Sequence, residues 1–145
     1  MSDLQSYLDS LLRRIPGLKA ITVCDRDGVI VLSSPAPVVA VDSEGGEAVL
    51  SEEQQRLQSQ LAVSSSSFVL SSDQLEKVAL GSARTLVTSH EGRSIAPTRV
   101  YLSLTPLVVG LAGTAQVNVG MLLALTNDLS AALAPLRSTL AQTPH

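Results

Sequence analysis

Leu4, Tyr7, Leu8, Leu11, Leu12 and Ile15 recur every three or four residues, which gathers them into one stripe on a helix, and Pro16-Gly17 end the pattern. Ser2 or Asp3 suits the N-terminal cap of that helix. Two short apolar runs follow, at 20–24 and 29–32, separated by Asp25-Arg26-Asp27-Gly28. Asp-Gly supplies the positive φ of a tight turn, so the two runs read as a β-hairpin. Their nearly unbroken apolar character predicts strands covered on both faces or central in a sheet. The Asp-x-Asp-Gly pattern does not extend into a calcium loop, because Val23 stands where the first acidic ligand belongs and Ser34 where the bidentate glutamate belongs.

From Ser33 to about Leu50 the pattern is loop-like: Pro35 and Pro37 break strands, and Gly45-Gly46 adds freedom. Ser51, Glu52 and Glu53 suit the start of a helix over 51–61, since acids favour the positive end of its dipole. Ser64 to Ser67 is a run of four serines that reads as frayed or unstructured. Phe68, Val69, Leu70, Leu75, Val78 and Leu80 then form a second apolar face, predicting helix over 65–78 with Gly81 as its C-terminal cap.

Beyond Gly81 the pattern predicts a three-stranded meander. Arg84 to Thr88 is its first run, and Gly92-Arg93 marks a turn. Along Arg99 to Thr105, Val100, Leu102 and Leu104 alternate with Arg99, Tyr101 and Ser103, the pattern of a strand covered on one face. Pro106 breaks that run, and 107–112 reads as a buried strand. In the final stretch Val117, Met121, Leu122, Leu125, Leu129, Ala132, Leu133, Leu136 and Leu140 share one helical face, with Pro135 set to kink or split the helix. The order α-β-β-α-β-β-β-α is that of an α+β domain, a five-stranded, mostly antiparallel sheet flanked by helices, spanning residues 1–145 as a single unit.

Composition narrows the function. Aromatic residues make up 2% of the chain, so its core is aliphatic and the large rings that usually anchor ligands are nearly missing. A net charge of −3 excludes the basic footprint of a nucleic-acid binder. Asp42, Glu44, Glu47, Glu52 and Glu53 run without a base among them, which reads as a solvated acidic loop. No basic-then-apolar N-terminal stretch predicts a signal peptide, and the longest apolar run is far shorter than a membrane span. The single Cys24 excludes an internal disulfide framework and agrees with a reducing compartment.

Reactive constellations are missing as well. His90 and His145 are the only histidines, too few for a triad or a zinc site with the partners around them. Cys24 lies in an apolar strand, the setting of an inert thiol. Phosphate-cradling glycine loops and nucleophile elbows do not occur. The reading is non-enzymatic, with no catalytic, cofactor-binding or metal-ligating residues.

Four segments, in order, carry a family resemblance: Gly17 to Val29, Ser72-Asp73-Gln74 ahead of Leu80-Gly81, Pro106 to Val109, and Leu129 to Leu136 including Pro135. On these the chain resembles the roadblock superfamily, which shares a profilin-like sheet. Within that superfamily it is similar to the MEK-partner scaffold subunits of the Ragulator complex, the late endosomal/lysosomal adaptor and MAPK and mTOR activator. Measured against that pattern, residues 34–64 are longer and more polar, as expected for an insertion.

The resemblance implies a heterodimer with a second roadblock-domain subunit, built by pairing of edge strands and packing of central helices. The implied interface comprises Phe68, Leu75 and Val78 on the central helix and Arg84, Thr85, Leu86, Val87 and Thr88 on the edge strand (83–89). For the helix residues, burial in the chain's own core fits the apolar pattern equally. The resemblance also implies the other Ragulator subunits, Rag GTPases, and MAP kinase kinase and ERK as partners. The implied location is the cytoplasmic face of late endosomes and lysosomes, reached only through the complex, and the cytosol. Two other readings share the element order: a roadblock homodimer, such as a GTPase regulator or dynein light chain, and a longin- or profilin-like trafficking adaptor.

Overall fold

The computed structural model describes residues 2–36, 51–81 and 83–142. Its elements are α1 (Ser2–Arg14), β1 (Leu18–Cys24), β2 (Ile30–Ser34), α2 (Glu52–Glu76), β3 (Thr85–Ser89), β4 (Thr98–Leu104), β5 (Leu107–Gly113), α3 (Val119–Ala132) and α4 (Ala134–Gln142). The strands lie in the order β2-β1-β5-β4-β3, and every neighbouring pair is antiparallel. Consecutive β3, β4 and β5 form the meander that the pattern predicts. Joining β5 to β1 closes the ends of the chain into one sheet with β2 and β3 as its two edges.

The β1–β2 turn forms for the reason the sequence suggests. Asp25 accepts hydrogen bonds on Oδ1 from the amides of Asp27 and Val29, at 2.9 and 3.0 Å, and Gly28 takes φ +86°. A side chain on Gly28 would also crowd the Ala62 carbonyl of α2, 3.0 Å from its would-be Cβ. Asp25→Ala is therefore expected to cost about 1 kcal/mol, read as a lower midpoint in urea with an unchanged slope. β2 is an edge strand rather than a central one: Leu32 is buried as expected, together with Ser33 and Ser34, but Ile30, and Val29 just before it, are exposed.

Helices cover both faces. On one, α1 packs on β1 and β2 and α3 on β4, burying Leu8, Leu11, Ile21, Val100, Leu102, Leu111, Leu122 and Leu129. On the other, α2 lies mainly across β1 and β5 over Ala20, Tyr101, Val108 and Ala112. α3 and α4 meet at a 61° bend beside Pro135, the predicted split, whereas Met121, expected on the inner face, is exposed. Among the described residues no single helix is long and apolar enough to cross a membrane.

Three expectations are corrected. α2 is one helix of 25 residues and runs straight through the four serines, which are neither frayed nor unstructured. Its start falls where the acids predict it, and the Ser51 hydroxyl caps it by accepting from the Gln54 amide at 3.2 Å. Its end lies before Gly81: the Leu80 amide bonds the Leu75 carbonyl, and Ala79, at φ +64°, takes the left-handed position. β4 is covered on both faces rather than one, because α2 and the β3–β4 loop bury Arg99 and Tyr101. Of the expected insertion at 34–64, residues 52–64 belong to α2, while the acidic positions Asp42, Glu44 and Glu47 fall outside the described residues.

Candidate interaction surface

Among the described residues no three His, Cys, Asp or Glu side chains gather as metal ligands. His90 is exposed and within 2.9 Å of the Thr88 hydroxyl, and His145 falls outside the described residues. Cys24 is fully buried under α2 beside Thr22 and Ser65. Burial pushes its thiol up, against a smaller lowering by the two hydroxyls. Thiolate is the reactive form, so Cys24 is expected to resist iodoacetamide at neutral pH in the folded chain and to label once it is unfolded. Labelling of the native protein within minutes would contradict this burial.

What the fold does present is an open strand. Among the described residues β3 bonds only β4, in the register Thr85↔Leu102 through Ser89↔Thr98. Just outside the strand, the Arg84 carbonyl accepts from the Ser103 amide at 2.8 Å, and the His90 amide donates to the Pro97 carbonyl at 2.9 Å. Inward and outward residues alternate in an antiparallel ladder. Residues 84, 86, 88 and 90 therefore turn their backbone groups to β4, and Thr85, Val87 and Ser89 turn theirs to the open edge. The side chains divide by the same parity. Leu86 and Thr88, opposite Tyr101 and Arg99, stand on the α2 side of the sheet, and Thr85 and Val87 on the α3 side. Leu86 is 36% exposed and Val87 46%, unusual for apolar residues in the middle of a strand.

α2 continues this surface. Its outer face carries Val63 and Leu70, 68% and 64% exposed and seven residues apart, so they lie on one line along the helix. Val78 and Leu80 extend the exposed apolar surface past the helix end, and Leu75 is partly exposed beside them. Small residues, Ser67 and Ser71, occupy the flank between this line and β3.

The predicted interface residues thus separate. Arg84, Thr85, Leu86, Val87 and Thr88 gather on the edge, and Leu75 and Val78 lie at the helix end next to it. Phe68 is removed from the surface: it is 3% exposed, points into the sheet, and its ring centre lies 6.5 Å from that of Tyr101. It faces inward because Leu57, Leu61, Ser65 and Phe68 are the buried stripe of α2, leaving the opposite side to Val63 and Leu70. The apolar pattern of the sequence does not single out Val63. Its seven-residue spacing from Leu70 becomes a signal only once the helix is known to cross the serine run unbroken.

With this geometry in view, the comparisons with known proteins are decisive. Residues 2–140 match the family described as mitogen-activated protein kinase kinase 1 interacting. The chain belongs to that family. Among curated relatives it is 25% identical over 143 residues to the Ragulator complex protein LAMTOR3 homolog of Drosophila melanogaster, covering 97% of each chain. It is 29% identical over 130 residues to Ragulator complex protein LAMTOR3-B of Xenopus laevis, covering 88% of this chain and 87% of the relative. Among solved structures, a Roadblock/LC7 domain from Streptomyces avermitilis superposes with a TM-score of 0.64 at 12% identity, covering 94% of this chain and 96% of that one. MglB of Myxococcus xanthus superposes equally well, also 0.64, at 11% identity and 96% and 98% coverage. These neighbours show the roadblock fold for this member of the kinase-kinase-interacting family.

Proposed function

We propose that this chain is a non-enzymatic scaffold subunit of a Ragulator-like complex that heterodimerises with a second roadblock-domain subunit through β3 and the outer face of α2. The observation that carries this reading is the open, apolar edge of β3 beside exposed Val63 and Leu70. Unpaired amides and carbonyls of Thr85, Val87 and Ser89 are a template for one more strand, and the apolar residues around them gain by being covered. Membership of the kinase-kinase-interacting family and the LAMTOR3 relatives support a place in such a complex.

In that role the chain works by proximity. As a subunit beside the other Ragulator proteins, it helps recruit Rag GTPases for amino-acid signalling to mTOR complex 1 and presents MAP kinase kinase to ERK. Holding two proteins on one scaffold raises their effective concentration without new chemistry. The site of action is the cytoplasmic face of late endosomes and lysosomes, reached through the complex. Affinity purification of the chain from its native cell, with mass spectrometry of stoichiometric partners, tests the reading. Recovery of a second roadblock subunit together with Rag GTPases is the expected result. Recovery of the chain alone, or of dynein or vesicle proteins, overturns it.

A further inference from the structure

The end of β3 opens into a groove of about 670 Å³ between the first half of α2 and the β3–β4 loop. Three guanidinium groups line it, those of Arg56, Arg93 and Arg99, together with His90. Arg56 and Arg93 are exposed, whereas Arg99 is 5% exposed. Its hydrogen bonds run to neutral acceptors: Nε to the Ala96 carbonyl at 3.1 Å, and Nη2 to Gln60 Oε1 at 2.8 Å and the Ser94 hydroxyl at 3.4 Å. Among the described residues no carboxylate forms an ion pair with it; the ion pair present joins Arg26 to Asp73 elsewhere. Glu91 lines the groove, and Glu53 borders the adjoining hollow with Arg56 and Arg93. Two marginal acids thus face three guanidiniums, one of them buried.

A buried guanidinium ordinarily finds a carboxylate, because neutral acceptors only partly replace its hydration. The groove is also continuous with the surface described above: His90 and Glu91 directly follow β3, and Val63 of the outer α2 face is part of its wall. A subunit laid on β3 and α2 therefore reaches it. We infer that the groove receives an aspartate or glutamate side chain of the second roadblock-domain subunit, so that the buried Arg99 gains its counter-charge on assembly. With Nε and Nη2 already bonded within the chain, Arg99 offers the carboxylate its Nη1 end, and Arg56 and Arg93 attract it from the rim. The contact supplies partner selection: a fold of the same shape with a lysine or an apolar residue at that position leaves Arg99 buried and uncompensated.

This inference rests on the heterodimer reading, and one experiment separates the two. Affinity for the second roadblock subunit recovered in the purification above is measured for Arg56→Glu/Arg93→Glu and for Arg56→Lys/Arg93→Lys, at about 50 and about 500 mM salt. Both positions are exposed, so thermal melting should match the parent chain and show that the variants fold. The expected result is a loss of at least about tenfold for the double glutamate at low salt, largely screened at high salt, with the double lysine within about threefold of the parent. Binding of the double glutamate within about twofold of the parent at low salt overturns this inference and leaves the heterodimer standing. Absence of any second roadblock subunit overturns both.

Discussion

Leu86→Asp and Val87→Asp chains are expected to stay folded and to lose at least about a hundredfold in affinity for the second subunit, because an unpaired carboxylate buried in an interface costs about 3–5 kcal/mol. In the lone chain both positions are partly open to water, so the same substitutions leave the melting temperature nearly unchanged. The two residues stand on opposite sides of the sheet, and loss at both signals coverage of both faces. A backbone test sharpens the result. Val87→Pro removes an outward amide and spares the β3–β4 ladder, whereas Leu86→Pro removes an amide that bonds β4. Strand pairing predicts that Val87→Pro lowers affinity while the fold melts near its usual temperature, and that Leu86→Pro lowers both. Binding by folded Leu86→Asp or Val87→Asp chains as tight as the parent's excludes β3 as the docking edge.

The second large effect lies beneath α2. Gly110 sits in β5 opposite Thr22 and beneath Leu61 of α2. A Cβ there would stand 2.9 Å from Thr22 Oγ1 and 3.4 Å from Leu61 Cδ2, and Leu61 is fully buried. Gly110→Val adds two methyl groups beyond that Cβ and must lift α2 from β1 and β5. A destabilisation of about 3 kcal/mol or more is expected, a fall of roughly 10 °C or more in melting temperature. Gly110→Ala should cost less, and Thr22→Ala should recover part of its cost by removing the nearest atom. An unshifted melting curve for Gly110→Val would mean that α2 does not seat on β5 at this point.

Much of the architecture is legible in the chain, and the places where it is not share a physical cause. Asp25 to Gly28 announces its turn because the chemistry is local: one carboxylate, two amides and one positive φ. The split at Pro135 is legible for the same reason. Tertiary coverage is different. Arg99 and Tyr101 alternate with apolar neighbours like residues facing water, yet α2 and the β3–β4 loop lie over them. β1 and β2 are similarly apolar, and only the crossover that brings β5 alongside β1 makes one interior and the other an edge. The serines at 64–67 hide the continuity of α2, because their helix propensity is modest while the burial of Leu61, Ser65 and Phe68 on one stripe holds the helix there. Phe68 and Leu70 illustrate the consequence for the interface. They are two residues apart on a helix, about 200° around its axis, so which one faces out depends on a phase that composition does not reveal.

The open strand has a bearing on supply as well as on docking. An apolar edge that stays uncovered in a lone subunit offers the features that chaperones hold and proteases clear, since it both templates aggregation and opens easily. Copies synthesised beyond the available mates are exposed to that clearance for as long as Thr85–Ser89 remains bare. On the proposed heterodimer, the steady amount of this protein in a cell is expected to follow the abundance of the subunit that covers the strand, and depleting that subunit is expected to lower it.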